Sequence, residues 1–221
     1  MTTLNENTGI DLIYNSRKCI IEMIKDRGYD VSNYESFTKQ EMIVLYENSN
    51  TKYLNSSEIG PLDILVENND KKIFIKYKLD DKFKKSKTLN QQIINIFNSV
   101  LNENDDLIIL VIKKDVFKPR KKDSNVEILQ DMFFENHNYF VQFFGLENFL
   151  FNVTKHSLMP KHQKISTNEI KLLLDKYKIK KEQLPTIRRD DPPVKYLGLR
   201  IGDICKINRI SGDIFYRLVS E

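Results

Sequence analysis

The 221-residue sequence has no alanine, no tryptophan, two cysteines, three histidines and seven glycines. Cys19 and Cys205 stand near opposite ends, with neither the number nor the spacing of a metal site or a disulfide framework, and read as reduced thiols of an intracellular protein. Neither G-x-G-x-x-G nor G-x-x-x-x-G-K-[ST] occurs, so no phosphate-cradling loop is offered. His156 and His162 flank SLMPK without a third ligand or a cysteine partner, which argues against zinc. No apolar run approaches the roughly 20 residues of a bilayer span. The opening MTTLNENTGIDLIYNSRKC lacks the basic-then-apolar order of a secretory signal. No cofactor, metal, membrane or small-molecule ligand is implied. The missing alanine, with abundant Asn, Ile and Lys, reflects an AT-rich coding genome and carries no chemistry.

What is present supports a soluble protein with a real core: 40% hydrophobic and 30% charged residues, with a net charge of +4 that permits contact with nucleic acid without announcing it. GIDLIYNSRKCIIEMIKDRG places Ile10, Ile13, Tyr14, Ile20, Ile21 and Ile24 on one helical face, with Gly28 as the stop. A second helix is expected over 37–46. KKIFIKYKL then alternates, Ile73, Ile75, Tyr77 and Leu79 opposing lysines, which predicts a half-buried strand. LDILV (62–66) is its expected partner through a turn at 68–70. A helix over 87–102 carries Leu89, Ile93, Ile96, Phe97 and Val100. LIILVI (107–112) reads as a strand buried on both faces. A helix over 126–136 and a strand over 139–144 complete an α/β domain, residues 1–150, in which helices cover a mixed sheet.

From 151 to 221 the pattern changes to a small α+β unit. After an extended entry, Ser166 and Glu169 fit S-x-x-E, the reciprocal capping box, and Ile170, Leu173, Leu174 and Tyr177 supply the helix face. Two short strands are expected near 203–208 and 214–219. Between them and the helix lies TIRRDDPPVKYLGLRIGD (186–203). Its adjacent aspartates suggest a metal or a shared proton. Its prolines instead predict an extended connector, because a proline ring restricts itself and the residue before it. At about 70 residues this unit is near the lower limit for a self-sufficient core, which favours docking on something larger.

Two stretches carry possible nucleic-acid chemistry. GPLDILVENNDKKIFIKYK resembles the PD…(D/E)xK arrangement of restriction-type nucleases, with Asp63 as a first metal ligand. The second acid should stand at Phe74 or Lys76, and neither is acidic, so hard oxygen ligands for Mg²⁺ are lacking. A metal-dependent nuclease is thus the alternative, enzymatic reading. KKDVFKPRKKD (113–123) offers Lys113, Lys114, Lys118, Arg120, Lys121 and Lys122 to phosphates without reading bases, or else to solvent.

The C-terminal third carries the more specific pattern. His156, Leu158, Pro160 and His162; Tyr177; Gln183, Leu184, Pro185 and Ile187; Asp191, Pro192, Tyr196 and Gly198; Gly202, Lys206, Ile207 and Arg209; and Tyr216, Arg217, Leu218 and Val219 recur in order and spacing. In these residues the chain resembles the shared fifth-largest subunit of eukaryotic nuclear RNA polymerases, whose archaeal counterpart corresponds to this piece alone. The resemblance implies a non-catalytic subunit with no enzymatic activity of its own. It implies that the C-terminal domain docks on the largest subunit through His156, Pro160, His162, Leu184, Pro185, Asp191, Pro192, Tyr196, Gly198, Gly202, Arg209, Tyr216 and Arg217. It also implies that the N-terminal domain is a restriction-endonuclease-like jaw, beside downstream double-stranded DNA held without sequence specificity through the 113–123 loop. RISGDIFYR is shorter than the family's loop, with Ile210 in place of a proline, and DPPVKY departs from D-P-V-A-R-Y. Together with the alanine-free composition, these departures suggest a large DNA virus, and hence the virion and the cytoplasmic viral factory; the nucleus is the alternative.

Overall fold

The computed structural model describes residues 6–49, 57–68, 71–78, 87–111 and 125–221. The chain divides into two compact units, residues 1–151 and 152–221.

In the first unit, helix α1 (Glu6–Asp26) is followed by α2 (Lys39–Asn48). Strands β1 (Ile64–Asn68), β2 (Lys71–Lys78), β3 (Asp106–Val111) and β4 (Phe140–Gly145) then alternate with α3 (Lys87–Ser99) and α4 (Asn125–His137). Gly28, at φ +88°, ends α1 where its sequence predicts. The sheet order is β1-β2-β3-β4: β1 is antiparallel to β2, and β2, β3 and β4 run parallel. Consecutive parallel neighbours joined through α3 and α4 need both helices on one face. There Phe74, Leu107, Ile109, Val111, Val141 and Phe143 meet Leu89, Ile93, Phe97, Leu129 and Phe133. The register Asn68↔Lys71 makes β1 and β2 a hairpin, although its expected turn residues 69–70 lie outside the described residues.

On the other face α1 is tied to the sheet by long side chains. Arg27 Nη2 donates to Gln142 Oε1 at 3.0 Å, and Arg17 Nη1 to the Leu62 carbonyl at 2.7 Å. Covered on both sides, β2 is not the half-buried strand its alternation predicts: Ile73 to Lys78 are all buried. The lysines of its apparent polar side are accommodated by partners, Lys76 by an ion pair described below. β3 is buried throughout, as a continuous apolar run requires.

The second unit holds β5 (Lys161–Lys164), α5 (Thr167–Tyr177), β6 (Thr186–Arg188), α6 (Pro192–Leu197), β7 (Ile204–Asn208) and β8 (Ile214–Ser220). Its sheet runs β5-β7-β8-β6, mixed because β6 is parallel to β8 while β5–β7 and β7–β8 are antiparallel. The edge strands β5 and β6 add to the two expected strands. α5 packs on the face of Ile204, Tyr216 and Leu218, and α6 on the face of Cys205, Ile207 and Val219, giving three layers.

Asp191 is extended, as its place before a proline predicts, but Pro192 starts a helix where an extended connector was expected. Asp191 is the N-cap, at φ −59° and ψ 131°, and Pro192 begins α6. A proline in the first helical turn loses no intrahelical hydrogen bond, and its fixed φ already suits the helix. Gly198, at φ +64°, closes α6 with its amide on the carbonyls of Lys195 and Val194.

Candidate functional site

Capping fixes where the exposed surface of the second unit begins. Ser166 Oγ accepts from the Glu169 amide at 3.3 Å, while the Glu169 carboxylate accepts from the Ser166 amide and hydroxyl, both at 2.9 Å. Thr38 and Glu41 repeat the arrangement at α2. The cap amide of Thr38 or Ser166 holds each carboxyl below its ordinary value. A lowered folded pKa makes the contribution complete above about pH 4.3, the unfolded glutamate value, and removes it as pH falls through the folded value. Glu169→Gln is therefore expected to lower the unfolding midpoint above about pH 4.3 and to leave the acid end little changed, so that the acid limb of the curve flattens, measured by circular dichroism melts.

The expected docking residues divide between the two faces of the second sheet. The registers His162↔Ile207 and Cys205↔Arg217 put His162 and Arg217 on the α6 side. Asp191 at the start of α6 feels the charges of both: burial pushes its carboxyl up, His162 opposes, Asp190 adds and Arg217 opposes. His162 Nδ1 lies 2.7 Å from the Pro160 carbonyl, and Arg217 Nη1 donates to the Thr186 carbonyl at 2.9 Å. Tyr196 is buried and its hydroxyl accepts from Asn152 Nδ2 at 3.0 Å. Tyr216, paired with Lys206, faces α5 instead. Leu184 and Gly198 are buried and hold the core together, as does Gly202, whose amide donates to the Val219 carbonyl at φ +88°.

His156, Pro185, Pro192 and Arg209 are exposed. Leu158, two residues after His156, is 78% exposed, Ile210, next to Arg209, is 80% exposed, and Arg209 stacks on the Phe215 ring at 4.2 Å. Tyr177, expected on the apolar face of α5, is 55% exposed in its last turn. Burial pushes the Cys205 thiol up to about 11, so it is an inert core sulfur.

The nuclease-like position of the first unit is occupied by the protein's own cation. Lys76 Nζ donates to Asp63 Oδ2 at 2.8 Å and to the Glu58 carbonyl at 2.6 Å. Asp63 also accepts from the Gly60 amide at 2.7 Å and the Tyr77 amide at 2.9 Å. Burial pushes the Asp63 carboxyl upward, while Lys76 and the two amides pull it back. Its oxygens are committed to these donors, and among the described residues no three His, Cys, Asp or Glu side chains converge as metal ligands would. No described helix is long and apolar enough to cross a membrane.

Sequence reading missed Arg17, which is 3% exposed and sits 5.4 to 5.9 Å from the Tyr34, Phe37 and Tyr77 ring centres. The signal was available: positions 13, 17, 20 and 24 follow helical spacing, so the arginine lies in the apolar stripe. The six basic residues Lys113, Lys114, Lys118, Arg120, Lys121 and Lys122 lie outside the described residues. Charge is unevenly shared. Residues 152–221 hold 15 Lys and Arg against 8 Asp and Glu, leaving 20 against 23 in residues 1–151.

A family model described as RNA polymerase Rpb5, C-terminal domain, matches residues 151–219. DNA-directed RNA polymerases I, II, and III subunit RPABC1 of Caenorhabditis briggsae is 31% identical over 220 residues, covering 94% of this chain and 95% of that protein. The chain belongs to the Rpb5 family of RNA polymerase subunits. Among other relatives, DNA-directed RNA polymerases IV and V subunit 5B of Arabidopsis thaliana is 30% identical over 203 residues, 88% of this chain and 81% of that protein. Subunit Rpo5 of Pyrococcus horikoshii is 49% identical over 75 residues, 32% of this chain but 92% of its own length. Rpb5 membership makes the second unit the C-terminal domain of its family, and His156 to Val219 fall within the matched range.

Proposed function

We propose that this chain is a non-catalytic subunit of a multisubunit DNA-directed RNA polymerase. The observation that carries the reading is the match over 95% of a relative named as a subunit of three such polymerases. In this reading the C-terminal domain docks on the largest subunit, and the N-terminal domain, a restriction-endonuclease-like jaw, flanks downstream double-stranded DNA. Exposed apolar side chains beside exposed docking residues support the docking part, since Leu158 and Ile210 have no core of their own to enter. Nucleotide addition belongs to the large subunits.

The jaw reading rests on local charge. Because residues 1–151 carry more acids than bases, attraction to a phosphate backbone must come from the concentrated 113–123 run and not from the domain as a whole. Replacing Lys118, Arg120, Lys121 and Lys122 by Gln is expected to weaken polymerase–DNA association at every sequence. It should also lower the slope of log K against log salt by as much as about 3–4. Fluorescence anisotropy across a salt series reads both. An unchanged slope would show that the loop does not touch phosphates. The shortened 209–217 loop and the alanine-free composition support a large DNA virus as the source, with the complex in virion and cytoplasmic factory.

A further inference from the structure

α5 covers only part of the sheet face on which it packs. Its inner side chains Ile170, Leu173 and Leu174 meet Ile165, Leu184, Ile204 and Leu218. Beyond them the same face continues through the pair Lys206 and Tyr216 to the pair Asn208 and Ile214, the last 51% exposed. Between helix and strip runs an open groove of about 200 Å³, with Leu172, Leu173 and Lys176 on one wall and Lys206 and Tyr216 on the other. Leu172 is 70% exposed at its lip.

The groove carries more positive than negative charge, two lysines to one glutamate, although Glu169 feels Lys206. Lys176 and Lys206 line it, and Lys161, paired with Asn208, lies on the same sheet face. Its acid, Glu169, has its carboxylate turned back onto the Ser166 amide and hydroxyl. The domain around it is basic, 15 cations to 8 anions. An aliphatic floor suits a branched or aromatic side chain, and lysines at the rim suit carboxylates on either side of it. We infer that this groove is a docking site for a short acidic segment of a partner protein, one large apolar side chain flanked by Asp or Glu. It lies on the face opposite α6 and its neighbours Asp191, His162 and Arg217, and of the expected docking residues it takes in Tyr216.

The test titrates the full-length chain into a fluorescein-labelled peptide, Glu-Glu-Asp-Phe-Glu-Asp-Ser-Glu-Glu, and reads anisotropy. Saturable binding is expected, at least about ten-fold weaker for the exposed-residue variants Leu172→Asp and Lys176→Glu, and for a peptide whose acids are replaced by Gln. Circular dichroism confirms that both variants fold. The inference is overturned by absence of saturation at millimolar protein, by equal affinity in Leu172→Asp, or by equal binding of the Gln peptide. Displacement by single-stranded oligothymidylate at lower concentration than unlabelled peptide likewise overturns it, in favour of nucleic acid. The measurement uses the chain alone, so its failure is distinguishable from failure of polymerase membership, which is read by co-purification.

Discussion

Lys76→Ala is expected to destabilise the N-terminal unit by about 3–5 kcal/mol, because it leaves the Asp63 carboxylate buried without its cation. Both side chains are nearly inaccessible, 6% and 3% exposed, so water cannot replace the lost partner. The amides of Gly60 and Tyr77 remain as donors and orient the carboxylate without neutralising it. For a domain of this size, losses on that scale lower the unfolding midpoint by roughly 10 °C. Calorimetry of the full chain checks it. The double variant Lys76→Met/Asp63→Asn should recover about half of the loss, since it removes both charges and keeps an acceptor. A single variant that melts like the parent would show the pair to be solvated and would reopen the position to other ligands.

Charge reversal at the exposed docking residues is the second large effect. His156→Glu, Pro192→Glu and Arg209→Glu in combination are expected to leave the chain folded, because all three side chains are exposed and Pro192 occupies a helix N-terminus where Glu is well accepted. The same combination buries a carboxylate wherever an interface covers one of these side chains. At desolvated positions such changes reach the level of interface hot spots, here about a hundred-fold weaker association. Recovery of the largest subunit on tagged variant and parent chains, compared by quantitative blotting, reads the loss. Undiminished recovery would move the docking surface elsewhere on the domain.

Much of the architecture is legible in the residues, and the failures share a cause. LIILVI announces a doubly covered strand because nothing polar interrupts it, and Ser166 with Glu169 announces a helix start because two side chains meet two backbone amides. KKIFIKYKL misleads because alternation normally means one wet face, whereas here Lys76 finds Asp63 thirteen residues upstream. The edge strands KHQK and TIR are too short and polar to have a period, and exist by pairing with β7 and β8. Asp-Pro-Pro reads equally as connector or helix start, and the buried Pro193 and Val194 decide for the helix. At the site, motif spacing identifies which residues matter but not which face they share. His162 and Arg217 come together, while Tyr216 is turned away by the single-residue alternation of β8.

The most direct measurement is the mass-spectrometric composition of the native assembly recovered with a tag on this chain. A polymerase subunit should bring down two very large polypeptides in stoichiometric amounts, retained through a salt wash. Recovery of the folded chain by itself from cells actively transcribing its genome would contradict that role.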